Sequence, residues 1–272
     1  MAVSTLTLLS AALLLTATTL SSPVAAADEV LGDTPMGSQI AKHEGVSTER
    51  GRSADALTEL PVDPGTGVAV PGIDVSRWQG EVNWQDHWNQ GKRFAYVKAT
   101  EGTGYRNPFF GQQYNGSYNV GMIRGAYHFA LPDRSSGAEQ AHYFVNNGGG
   151  WSADGRTLPG ALDIEYNPYG DTCYGLDHDA MTAWLRDFSD TYRARTGRFP
   201  AIYTSTSWWS KCTGNRGDFS GTNPLWVARY AAEIGPLPHA WGVYTIWQYS
   251  STPIDQNSFN GSYDRLVALA TG

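Results

Sequence analysis

Residues 160–166 read "GALDIEY", a short apolar run that carries two carboxylates, Asp163 and Glu165, two positions apart. Side chains alternate along an extended strand, so Asp163 and Glu165 share one face, with Cα atoms roughly 6.6 Å apart at ~3.3 Å per residue. Leu162, Ile164 and Tyr166 share the other face. An apolar outer face packs on helices, which aims the two carboxylates into the mouth of a barrel. Taking them out of water costs several kcal/mol, so one of them holds its proton more tightly than a free acid does. A carboxyl tuned in this way is a general acid.

Similar apolar runs flank this one: "GIDVSRW" from 72, "FAYVKAT" from 94, "RGAYHFAL" from 124, "PAIYTS" from 200, "PLWVARY" from 224 and "YTIWQYS" from 244, with a short eighth around "DQNSF" from 255. Polar stretches with helical spacing separate them. The clearest spans residues 177–196, where Met181, Trp184, Leu185, Phe188 and Tyr192 form a stripe and Gly197 and Pro200 act as stop signals. Residues 108–118, 136–147 and 264–270 carry weaker helical patterns, and the later connections look too short for full helices. The expected fold is α/β, an irregular TIM-like β/α barrel of about eight strands with fewer helices.

All the aromatic residues of the 272-residue chain fall after position 71. Residues 28–71 contain eight acidic and three basic residues and little to bury, and read as a disordered acidic pro-region or linker. The rest of the chain, with 18 acidic and 16 basic residues, is close to neutral, which argues against a nucleic-acid-binding surface. Residues 1–27 have no charged side chain, an apolar run from Leu6 to Leu15 and a small-residue end. They read as a signal peptide, the run being short of the ~20 apolar residues a membrane span needs. The expected product is exported, with no membrane segment in its mature form. Cys173 and Cys212 fit an oxidising compartment and read as a disulfide, two buried free thiols being the alternative.

Other acids stand at strand ends, Asp74 in "GIDVSRW" and Asp255 in "STPIDQN". Four carboxylates converging among Tyr127, Tyr203 and Trp247 describe a cleft that protonates a leaving oxygen and grips an apolar ring face, the parts glycoside hydrolysis needs. Singly, Asp74 and Asp255 read equally as turn or cap residues, and the three aromatics as core. The Gly-rich "NNGGGW" at 146–151 lacks the Lys and Ser/Thr of a phosphate loop. His128 and His142 have no metal-ligand spacing and read as core or rim residues. No G-x-S-x-G elbow is present. Metal-free acid catalysis without a cofactor is the expectation.

The stretches "GIDVSRWQG", "FAYVKATEG", "GAYHF", "ALDIE", "AIYTS", "LWVARY" and "WQYSS…IDQN", in that order, resemble glycoside hydrolase family 25, and "TCYGL" with "CTGN" resembles its secreted actinobacterial members. The resemblance covers residues 72–272. It implies a muramidase (lysozyme) that cleaves the β-1,4 bond from N-acetylmuramic acid to N-acetylglucosamine in peptidoglycan glycan strands. A monomer is the separate expectation. It makes Glu165 the proton donor, Asp163 its D-x-E partner, and Asp74 and Asp255 the acids of the first strand and the C-terminal D-x-N motif. Three routes to the sugar carbon stay open: direct attack by a carboxylate, inversion through water, and attack by the substrate's own acetamido oxygen with Asp163 orienting the amide N–H. The third is the favoured reading. A hydrolase of another amino-sugar polymer such as chitin, and a binding module without turnover, are the competing functions.

Overall fold

Strand β5, Ala161–Asp163, lies at the middle of a sheet that closes on itself. The structure is a computed structural model and describes Met1, residues 33–45 and residues 68–272. The signal peptide expected over 1–27 therefore lies, Met1 apart, outside the described residues. Residues 33–45 and 68–272 belong to one compact unit.

The sheet starts at β1 (Ala69–Val75) and runs through β2 (Phe94–Glu101), β4 (Ile123–Phe129), β5, β6 (Ala201–Thr204), β7 (Leu225–Ala228), β8 (Ile246–Ser250) and β9 (Gln256–Asn260). Neighbours from β1 to β8 are parallel. The expected short eighth run is β9, which is antiparallel to both β8 and β1 and closes the barrel. The two-residue β3, Tyr105–Arg106, is appended to β2. The first strand starts at Ala69, three residues before the expected boundary, because Ala69, Val70 and Pro71 pair with Asn260, Phe259 and Ser258.

Rings fill the barrel interior. Tyr96 and Tyr203 pack on Trp226 with centroids 4.7 and 5.2 Å apart. Gly72 and Gly125 leave room for them, since a Cβ at either position would collide with the Phe94 or Tyr96 ring. Side chains of the opposite phase, such as Leu162 and Ile202, pack under the helices.

Helices α3 (Phe110–Asn119), α4 (Gly137–Phe144), α5 (His178–Thr196) and α7 (Tyr263–Thr271) follow the expected segments. The α5 stripe is buried at every residue named from the sequence, Asp177 caps it at 2.8 Å to the Ala180 N–H, and Gly197 ends it in the left-handed region. Two further short helices were not expected: α2 (Trp84–Asn89), and α6 (Thr206–Thr213), which Ser205 caps. The glycine-rich stretch is not a plain loop at its start; α4 runs on into one wide turn, Val145–Gly149, before the chain extends.

One expectation about the N-terminal region is overturned. Residues 33–45 pack against the barrel and include helix α1, Ser38–Glu44, with Met36 and Ile40 each only 2% exposed. The rest of the expected disordered segment, 28–32 and 46–67, lies outside the described residues.

Candidate active site

Asp163 is the last residue of β5 and Glu165 lies just past it. Both side chains are fully buried. Tyr174, whose hydroxyl lies 3.0 Å from the Glu165 carbonyl and 3.1 Å from that of Ala130, fixes the turn that carries the glutamate. Neither carboxyl oxygen of Asp163 has a hydrogen-bond partner among the described residues. Burial, then the Glu165 carboxyl beside it, pushes Asp163 well above the usual carboxylate range, against the pull of Lys98. Burial likewise raises Glu165 to about 8, although three backbone N–H groups and Lys98 favour its ionised form. The pair thus joins a carboxyl that holds its proton unusually tightly to a neighbour without a hydrogen-bond donor, the properties a general acid and its partner need.

Asp74 projects from β1 and accepts from Gln248 Nε2 (2.8 Å) and Asn257 Nδ2 (2.7 Å). Gln248 Oε1 in turn accepts from the Tyr203 and Tyr230 hydroxyls, each at 2.7 Å, and Asn257 Oδ1 from Trp226 Nε1 at 2.9 Å. Every link in this chain comes from a different strand or strand end, so the barrel itself sets the orientation of Asp74. Its burial raises it to about 6, the two amide donors opposing. Half-buried Asp255, in the turn before β9, is pushed well up by desolvation and then by Asp74. All four predicted carboxylates therefore perturb one another or a shared neighbour.

The aromatic assignments divide. Tyr127 and Tyr203 project into the interior but are buried, and the Tyr203 hydroxyl is engaged by Gln248, so they form the floor beneath the carboxylates. Trp247 is a correction. Gln248 points inward, so the adjacent Trp247 points out of the barrel, where its Nε1 donates to the Arg229 carbonyl (2.8 Å) and its ring packs between Tyr244 and Tyr249. The exposed ring at the mouth is Trp78, 61% accessible and held just after β1 by a turn that Ser76 caps.

Other residues escaped the sequence reading. Lys98 is fully buried on β2, with Nζ 2.6 Å from Glu101 Oε2 and 2.6 Å from Asp33 Oδ1. Tyr169 adds its hydroxyl at 2.5 Å from Glu101 Oε1. Lys at i and Glu at i+3 face opposite sides of a regular strand, and only the register shift between Lys98 and Thr100 brings these two together, so their spacing gave no signal. Gln248 and Tyr230 carried none, because a lone Gln or Tyr in an apolar strand has no spacing to mark it.

The segment 33–45 lies across these residues. The Gly37 N–H donates to Glu165 Oε1 at 2.6 Å, and those of Gln39 and Ile40 to Oε2 at 2.8 and 2.9 Å. The Thr34 N–H donates to Glu101 Oε2 (2.9 Å), Lys98 Nζ donates to the Thr34 carbonyl (2.6 Å), and Trp78 Nε1 donates to the Asp33 carbonyl (2.9 Å). At the far end Glu44 accepts from Tyr166 and Ser205.

Cys173 and Cys212 form the expected disulfide, with Cα atoms 5.3 Å apart. Cys173 is in the loop after β5, and Cys212 is buried in α6. His128 is a core residue between Thr100 (2.7 Å) and Gln140 (2.9 Å), and exposed His142 meets Arg195. No helix among the described residues is long and apolar enough to cross a membrane.

Comparison with known proteins agrees with this geometry. The model of Glycosyl hydrolases family 25 matches residues 73–258. Lysozyme M1 of Streptomyces globisporus is 48% identical over 234 residues, covering 83% of this chain and 79% of that protein. The N,O-diacetylmuramidase of Chalaropsis sp is 50% identical over 210 residues, 75% of this chain and all of the relative. Among solved structures, the muramidase from Acremonium alcalophilum superposes with a TM-score of 0.73 at 55% identity, covering 75% of this chain and 99% of that one.

Proposed function

The chain belongs to glycosyl hydrolases family 25 and is an N-acetylmuramidase of bacterial peptidoglycan; we propose that Glu165 is its general acid and that Asp163 recruits the substrate's acetamido group. Glu165 protonates the oxygen leaving with N-acetylglucosamine. The carbonyl oxygen of the muramic acid acetamido group attacks the anomeric carbon as that bond breaks, and Asp163, ionised once the substrate amide supplies the donor it lacks, accepts that N–H and offsets the positive charge that develops. Glu165, now a carboxylate, takes a proton from the water that opens the cyclic intermediate, and the β configuration is retained. The observation that supports this route is the Asp163 carboxyl, buried beside Glu165 without a donor. A substrate amide supplies the partner that the protein withholds.

Asp74, with Asp255, positions the sugar and tunes the pair, and Trp78 offers its exposed face to a sugar ring. Tyr127 and Tyr203 support the floor rather than grip substrate. Residues 1–27 support export, and the enzyme works outside the cell as a monomer. The test is product analysis on bacterial walls beside chitin, with the exported protein cut in the 46–67 stretch. After borohydride reduction, walls should yield new muramic acid alditols and chitin no new ends. Glucosamine alditols alone would refute the bond assignment, and wall binding without any new ends would leave a binding module.

A further inference from the structure

Residues 33–45 make the contacts of a bound ligand. Three of their backbone N–H groups donate to Glu165, Asp33 pairs with the buried Lys98 ammonium and lies 3.7 Å from Arg77, and the His43 ring stacks on Tyr166 at 4.4 Å. The fit depends on sequence at Gly37. Its φ is +75°, and a Cβ there would collide with the Tyr230 hydroxyl and come within 2.6 Å of the Tyr203 hydroxyl and 2.7 Å of Gln248 Oε1. A glycine is thus required where the segment passes over the Asp74 support, and Met36 and Ile40 bury their side chains on either side of it.

We propose that residues 33–45 are an intramolecular inhibitor that holds the exported enzyme inactive until the chain is cut between this segment and β1. The proposal rests on Glu165 being the catalytic acid. With Glu165 accepting three backbone N–H bonds and wholly covered, no glycosidic oxygen can reach its proton. The segment is tethered to the barrel, so it competes at the effective concentration of a short linker, about millimolar, and a wall glycan must outcompete that. Cutting the tether lets the segment dilute away. Two acids of the segment take part directly: Asp33 pairs with Lys98, and Glu44 accepts from Tyr166 and Ser205. Ile40, His43 and Glu44 also line a groove of about 790 Å³ together with Tyr166 and the Arg229–Glu233 loop.

The test compares the full exported chain, the same chain with a site-specific protease sequence placed within 46–67 and cut, and full chains carrying Gly37→Val or Ile40→Asp. The intact chain should clear walls at least tenfold more slowly than the cut form. Each substitution should bring the uncut chain close to the cut rate, and the cut form of each variant should match the cut parent. A synthetic peptide of residues 33–45 added to the cut enzyme should raise KM without changing kcat and should quench or shift its tryptophan emission saturably, while the Gly37→Val peptide should do neither. Equal rates for intact, cut and substituted chains would overturn the proposal, as would a peptide that does not bind. If no form releases muramic acid ends, the muramidase assignment fails instead. Peptide binding then still decides whether the segment occupies the cleft.

Discussion

Gln248 donates from Nε2 to Asp74 Oδ2 at 2.8 Å, across 174 residues of sequence, and its Oε1 is held by two tyrosine hydroxyls, so its amide can face only one way. This fixed donor keeps Asp74 aimed at the cleft. Gln248→Leu should take the acceptor from the buried Tyr203 hydroxyl and leave the Tyr230 hydroxyl only the Gly37 carbonyl at 3.3 Å, costing about 1–3 kcal/mol. Denaturant unfolding should show that loss, and turnover should fall about tenfold with the misplacement of Asp74. Unchanged stability would show that the network carries no weight.

Asp74 also imposes a pH dependence. Its pKa rises from 3.8 unfolded to about 6 folded through burial, so the native state holds a proton that the unfolded chain has lost. That contribution is fully present below about pH 4, falls as pH rises through 6, and amounts to on the order of 3 kcal/mol. Asp74→Asn should flatten the stability-pH profile between pH 4 and 6.5, measured by urea midpoints. A variant profile as steep as the parent's would assign the slope to other groups.

The disulfide joins residues 39 apart and ties the loop after β5 to α6. The chain-entropy model gives about 4 kcal/mol for a loop of that length. Replacing both Cys173 and Cys212 by Ser should lower the unfolding free energy by about that amount, and a loss below about 1 kcal/mol would contradict it.

Trp78 is the exposed ring at the mouth, placed by the Ser76-capped turn after β1. Trp78→Ala in the cut enzyme should raise KM for wall glycan several-fold and leave kcat within about a factor of two, because sugar stacking binds substrate and transition state alike. A fall in kcat with KM unchanged would place the ring in the chemistry instead.

The barrel and its acids were legible because alternation is a local signal: Leu162 and Ile164 on one phase and Asp163 and Glu165 on the other determine which side is inside. Trp247 was misassigned by the same rule, since its neighbour Gln248 had to be known to face inward before its own phase could be set. Helix α6 escaped because "TSWWSKCT" is short and β-prone; its Ser205 cap and its packing on α5 decide it. Residues 33–45 escaped for a different reason. Composition measures apolar surface available for burial, and this segment is held largely by backbone N–H groups on a carboxylate and by ion pairs, which composition does not register.

The measurement that bears most directly on the account is the turnover number of Glu165→Gln on wall glycan, taken on enzyme cut within 46–67 so that residues 33–45 no longer shield the site. Glutamine keeps the shape and lacks the proton. The account predicts that kcat falls by about 10² to 10⁴ while binding to walls is retained. A kcat within a few-fold of the parent enzyme would contradict the assignment of Glu165 as the acid.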